Sequence, residues 1–344
     1  MKKFLYNLFI LIVCLFSFYS CSESPNNPNN VLGFDSARYN WKTYEIKNSG
    51  FSTINKIFAV DTNVMYLVNI GEGNILKVNY DGFQEIITIT NFIPVTISGN
   101  SNSDIYFSGN KVINGNFYVS IYKWNGFTYE ELNISDFKNY PGEFTQNSVI
   151  ENNYLWVITT TKILKINLIN KNLESFDRND PNTSALKFYL YNGLPYYFSE
   201  DFIVFTDVKY RLYKFLDKNW NKELFYTYTS SNEKLIILNG LLVGALQNQI
   251  YRYENGSFVE LFKSNNFNFY HTPDATSLDN FTTFGTSSEN NCLLYNWNNI
   301  KWSKELHHLH LDISYVKYIN PQLLYAVDQS LFGLQTYIHR GIKK

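Results

Sequence analysis

The chain has 344 residues, 17% of them charged, with 29 lysines and arginines against 30 aspartates and glutamates. That length can bury a large core without covalent staples, and the balanced charge does not point to nucleic acid, whose binding requires a basic face. Aromatic residues make up 18% of the chain, with 28 Tyr, 28 Phe and 6 Trp; such side chains suit the pleated, half-buried surface of β-strands.

The first twenty residues read as an export signal. Lys2 and Lys3 form a positive start, and residues 4–18 form an apolar stretch too short to span a bilayer. The stretch ends Phe18-Tyr19-Ser20-Cys21. This resembles the lipobox of bacterial lipoproteins, in which a small residue precedes a cysteine that becomes acylated. Ser20 fits that pattern, while Phe18 and Tyr19 depart from its usual leucine and small residue. The resemblance implies a signal peptide over 1–20 and a lipid anchor at Cys21; an ordinary secretory signal cut near a cysteine is the alternative. Ser22 in place of an aspartate implies, by resemblance to Gram-negative lipoproteins, delivery to the outer membrane, on its periplasmic or its outer side. Residues 21–38 form a tether. Ser22-Glu-Ser-Pro-Asn-Asn-Pro-Asn-Asn30 has no apolar residue, cannot join a core and serves as a flexible spacer.

Cys14 leaves with the signal and Cys21 takes the lipid, so Cys292 alone remains in the body and no intrachain disulfide is expected. Cys292 lies in a strand pattern, Cys292–Trp297, and reads as a buried, inert thiol.

After the tether, a hairpin pattern recurs every 40–50 residues or so. Its anchors, the bulky residues just after each turn, are Trp41, Phe83, Phe127, Leu173, Trp220, Phe258 and Trp302. The clearest copy is Tyr122-Lys-Trp-Asn-Gly-Phe127, where Asn125-Gly126 predicts a two-residue turn with Phe127 opening the next strand. Each unit holds four stretches of alternating apolar residues; in the fifth these are 234–238, 241–246, 250–253 and 257–262. Residues 186–225 are less regular, since 195–208 reads as one long strand or two. Past Leu306 come three strands without a fourth, ending near 336–339, while Tyr39–Ile46 is a fourth strand without the first three. The expected fold is all-β: a seven-bladed β-propeller of four-stranded antiparallel blades over 39–344, with the N-terminal strand closing the last blade and removing its exposed edge. The units resemble the propeller repeats of bacterial surface and secreted proteins, whose blades carry a Tyr/Trp-Asp/Asn-Gly-x-x-Trp-like hairpin. A WD dipeptide set, the double glycine of kelch repeats and the Asp box of sialidases are absent from the sequence.

Ligands of propellers gather on the face that carries the links between blades. Here those loops are 133–146, 177–185, 263–277, 307–312 and 110–116. Candidate ligand-binding residues are Phe137 and Tyr140 in the first, beside Phe144, and Phe269 and Tyr270 in the third. Exposed rings there would stack on sugars or meet a protein; alternatively they pack down on the blades. His308 and His310 add a further candidate. With Asp312 they share one face of an extended chain, a spacing that can chelate zinc; solvated histidines at the start of a strand explain the same pattern, and no metal is expected. Asp177 to Asn182 reads either as a calcium loop or as a plain Asx-rich turn. Asp136, Glu143, Asp180, Asp274, Asp279 and Glu289 are the acids near this face. A glycosidase needs two of them paired across a substrate, and sequence does not pair them. Nucleophile elbow, phosphate loop and catalytic triad patterns are absent. The expectation is a monomeric, membrane-tethered extracytoplasmic binding or scaffold module for a protein or glycan, without a cofactor. The alternative is a carbohydrate-active enzyme using those carboxylates.

Overall fold

The structure is a computed structural model. It describes residues 37–46, 54–69, 73–82, 84–178, 184–191, 194–203, 207–216, 219–228, 234–238, 241–246, 249–254, 257–263, 267–269, 274–277, 280–287, 292–297, 302–306, 313–329 and 336–344. Among these, the chain forms seven antiparallel sheets. Six follow the sequence. The second, for example, runs Phe92–Ser101, Asp104–Ile113, Asn116–Trp124 and Tyr129–Glu131, and the third Thr145–Glu151, Tyr154–Thr159, Lys162–Asn167 and Leu173–Asp177. First strands of successive sheets abut: Ile54–Ala59 meets Phe92–Ser101, which meets Thr145–Glu151, which meets Ser184–Tyr191. Ile313–Asn320 of the seventh sheet meets Ile54–Ala59 of the first.

Strand alternation explains why the sheets stack. Along Tyr154–Thr159, Leu155 and Val157 pack with Tyr106, Val119 and Ile121 of the second sheet. Trp156 and Ile158 point the other way, to Phe188, Tyr197 and Tyr213 of the fourth. Both faces of the sheet are therefore buried, and a period-two pattern of apolar residues on both phases is the result.

The seventh sheet joins the two ends of the chain. Its order is Tyr39–Ile46, Thr336–Lys343, Leu323–Gln329, Ile313–Asn320, and the N-terminal strand pairs antiparallel from Tyr39 opposite Lys343 to Ile46 opposite Thr336. Tyr39, Tyr44 and Ile46 are buried, each worth about 1.5–3 kcal/mol by area removed from water. The sheet-six residue Glu305 fastens this strand. Its carboxylate accepts from the backbone of Arg38 (2.8 Å) and Tyr39 (3.1 Å), from Trp41 Nε1 (3.1 Å) and from Ser303 Oγ (2.5 Å).

Several sequence expectations change. Asn125-Gly126 does not make a two-residue turn: Gly126 alone of the pair takes a positive φ (98°), and Asn125 N donates to Thr128 O (3.1 Å). The Asn125 side chain accepts from Phe127 N and Thr128 N, so the loop is wider and Phe127 projects from it, 89% exposed. Trp124 before the turn is the buried residue, and Phe127 is not blade packing. The two-residue turn of positive φ lies at Asn114-Gly115 (50° and 78°), so 110–116 is a long hairpin and not a loop. Residues 195–208 divide between two strands, Leu194–Ile203 and Asp207–Leu216. The expected loop 263–277 contains two short strands, Phe267–Phe269 and Asp274–Ser277, both paired to Asn280–Ser287. The last strand runs on to Lys343.

Candidate functional site

Thr145 sits opposite Thr159, and Lys162 opposite Asp177. These pairs define one end of the third sheet, the end where links between sheets arrive. The link from the second sheet ends there at residues 141–144. Pro141 bridges to Tyr118, and Gly142 N donates to Phe117 O (2.9 Å).

Glu143 anchors this link inward. It is buried, and its carboxylate accepts from Thr159 Oγ1 (2.5 Å), Thr161 N (3.0 Å) and Thr161 Oγ1. Asn110 bridges the same place, donating to Glu143 O (2.7 Å) and accepting from Thr145 N (3.0 Å). Thr145 Oγ1 reaches Gly109 O (2.9 Å). Gly109 allows the close approach of strands here: a Cβ at this position would lie 2.0 Å from Ile93 O. Arg178 closes the other side. Buried, it donates to Gln146 Oε1 (2.9 Å), Thr159 O (2.8 Å) and Thr160 O (3.0 Å), and its guanidinium lies 5.4 Å from the centre of the Tyr197 ring.

The polar lattice holds a small apolar outcrop. Phe144 N donates to Thr160 Oγ1 (3.0 Å), and its ring packs on Phe117 at 4.5 Å between centroids. Phe144 remains 45% exposed, as does Ile113 at the tip of the adjoining hairpin. An aromatic pair on an ordered base, ringed by hydroxyls and amides, can stack on a sugar or insert into a partner surface.

The sequence-predicted residues fare differently. Phe137 is buried and Tyr140 half-buried, both against the cluster of Leu155, Val157, Leu164 and Ile166. The 3-10 helix Ser135–Asn139 turns Phe137 into that core, so its ring is packing and is not offered to a ligand. Phe269 lies in a strand opposite Gly285, not in a loop. Cys21, Tyr270, His308 and His310 lie outside the described residues, as do Asp180, Asp279 and Glu289. Asp177 pairs with Lys162. Asp274 is not in a linker: it sits on a first strand, accepts from Tyr318 N (2.7 Å) and pairs with Lys317 at 3.6 Å. Sequence reasoning missed Lys56, on Ile54–Ala59, the first strand that meets the strand of Lys317. Burial, and then the Lys317 charge, push its pKa down to about 8. Among the described residues, no group of three His, Cys, Asp or Glu side chains could hold a metal ion.

Comparison with solved structures places this architecture among β-propeller-like proteins. Virginiamycin B lyase from Staphylococcus aureus superposes with a TM-score of 0.60 at 10% identity, covering 89% of this chain and all of that one. BBS1N, solved in complex with ARL6DN, gives 0.52 at 8% identity over 90% and 98%. The extracellular domain of a one-component system from B. thetaiotaomicron gives 0.51 at 11% identity, over 86% of this chain and 39% of that chain. At such identities the likeness is one of fold alone. No protein-family model matches the chain, and no curated protein is similar to it in sequence.

Proposed function

We propose that the chain is a seven-bladed propeller closed by Tyr39–Ile46, tethered to an outer membrane through an acyl chain on Cys21, and that it works as a monomeric binding or scaffold module for a protein or glycan. The observation that carries this reading is the exposed Phe144 ring, packed on the half-buried Phe117, on a base whose carboxylate is already engaged. Glu143 is the rim acid nearest that pair, and threonine donors hold both of its oxygens. Glycoside hydrolysis needs two carboxylates free to protonate and attack; Glu143 is placed to fix a loop instead. Propellers solved in protein complexes and in an extracellular domain support the same reading.

The test has two parts. A photo-crosslinking residue at position 144, in the native host, should give discrete adducts that the same residue at Phe127, on the opposite end of the sheet, does not. Equal crosslinking at both positions contradicts the reading. Metabolic labelling with palmitate tests the anchor: the label should vanish in Cys21→Ala.

A further inference from the structure

A second site lies away from this rim. Between the segment leading into the 3-10 helix Ser135–Asn139 and the turn after Lys162–Asn167 is a cavity of about 640 Å³. That volume falls within the range of small-molecule sites, about 300–1,000 Å³.

Its lining is unusual for such a site. Asn133 and Ser135 form one wall, Asn172 and Lys171 the other, and Ile134 and Leu173 contribute apolar side chains. Ile134 and Leu173 belong to the core cluster beneath, so the polar walls stand on the core. Side-chain amides donate and accept at once, which matches a ligand made of hydroxyls. Asp136 and Glu174 outnumber Lys171 at the lining, which disfavours a polyanion.

Both walls are preformed. Phe137, buried in the core, pins the helix. Asn167 holds the turn: its Oδ1 accepts from Ile169 N (2.9 Å) and Asn170 N (3.2 Å), and its O accepts from Lys171 N (2.9 Å). Asn170 Oδ1 then accepts from Asn172 N (3.0 Å). Lys171 takes a left-handed φ of 64°. Lys165 fixes Glu174 at 3.1 Å. A site ordered before binding loses less entropy on binding.

From these features we infer that the cleft binds a neutral oligosaccharide. The inference does not depend on the Phe144 rim. The test is calorimetric titration of the full chain with malto-, cello-, xylo- and mannohexaose. At least one should bind with a Kd of about 1 mM or tighter. Asn133→Ala/Asn172→Ala should weaken it at least about tenfold, Ser135→Trp should block it, and Phe144→Ala should bind as the native chain does. The substituted residues are exposed, and unchanged melting temperatures confirm that the variants fold. Absence of binding by all four sugars overturns the inference, as does binding indifferent to both cleft variants. Loss in Phe144→Ala alone would move the sugar to the rim, overturning the cleft and supporting the rim.

Discussion

The Trp41 ring occupies the space that a side chain at Gly341 would need. Its carbons lie 2.8–3.0 Å from where a Cβ at that position would be, and the two residues face each other across the strand pair that joins the chain's ends. Gly341→Val should therefore push Trp41 off the strand and away from Glu305. Overpacking of this kind costs about 1–3 kcal/mol. Urea unfolding measures the loss, and Trp41 fluorescence should shift to the red in the folded variant.

Glu305 is the counterpart of that contact. Truncation in Glu305→Ala strands the buried N–H of Tyr39 and the partly buried N–H of Arg38, along with the Trp41 indole. Each buried donor left unsatisfied costs about 1–3 kcal/mol. We expect Glu305→Ala to destabilise more than Glu305→Gln, which keeps an acceptor. Hydrogen exchange should locate the added opening in residues 39–46.

The closing strand was legible in the sequence because Tyr39–Ile46 reads as a fourth strand with no first three before it, and the C-terminal set lacked a fourth. Glu305 was not legible. Its partners on the closing strand lie about 264–267 residues away, and no local pattern separates a carboxylate that fastens a strand from one that faces water. The same holds at the rim. Phe144 was visible as an aromatic in a long link, yet its neighbour Phe137, of the same type and in the same link, is core. What separates them is the 3-10 turn that aims one inward. Phe127 shows the reverse error: an Asn-Gly pair predicts a tight hairpin, but the Asn125 side chain captures two backbone donors and widens the loop.

His339 makes stability depend on pH. It is buried in the seventh sheet, its Nδ1 lies 2.9 Å from Thr43 Oγ1 of the closing strand, and burial pushes its pKa down to about 4 from an ordinary 6.5. Between pH 6.5 and 4 the unfolded chain takes up a proton that the folded chain refuses. Stability is therefore full above pH 6.5, falls as pH drops through that window by about 3 kcal/mol, and levels off below it. In His339→Gln this portion of the pH profile should flatten, as read by denaturant midpoints from pH 7 to 4.

Lys56 behaves in the same sense at higher pH. With its pKa held down to about 8, its charge is a liability in the folded state, and stability should rise between pH 8 and 10.5. Lys56→Met removes the charge and keeps the length. It should raise stability at pH 7 by roughly 1–3 kcal/mol, measured by urea unfolding.

Deleting residues 22–46 asks most directly whether the chain closes on itself. The truncated protein should melt about 10 °C or more lower, and its bared Thr336–Lys343 edge should drive self-association in gel filtration. A synthetic peptide of residues 36–47, added in trans, should restore both properties. A truncated protein that keeps its melting temperature and stays monomeric would contradict closure by Tyr39–Ile46.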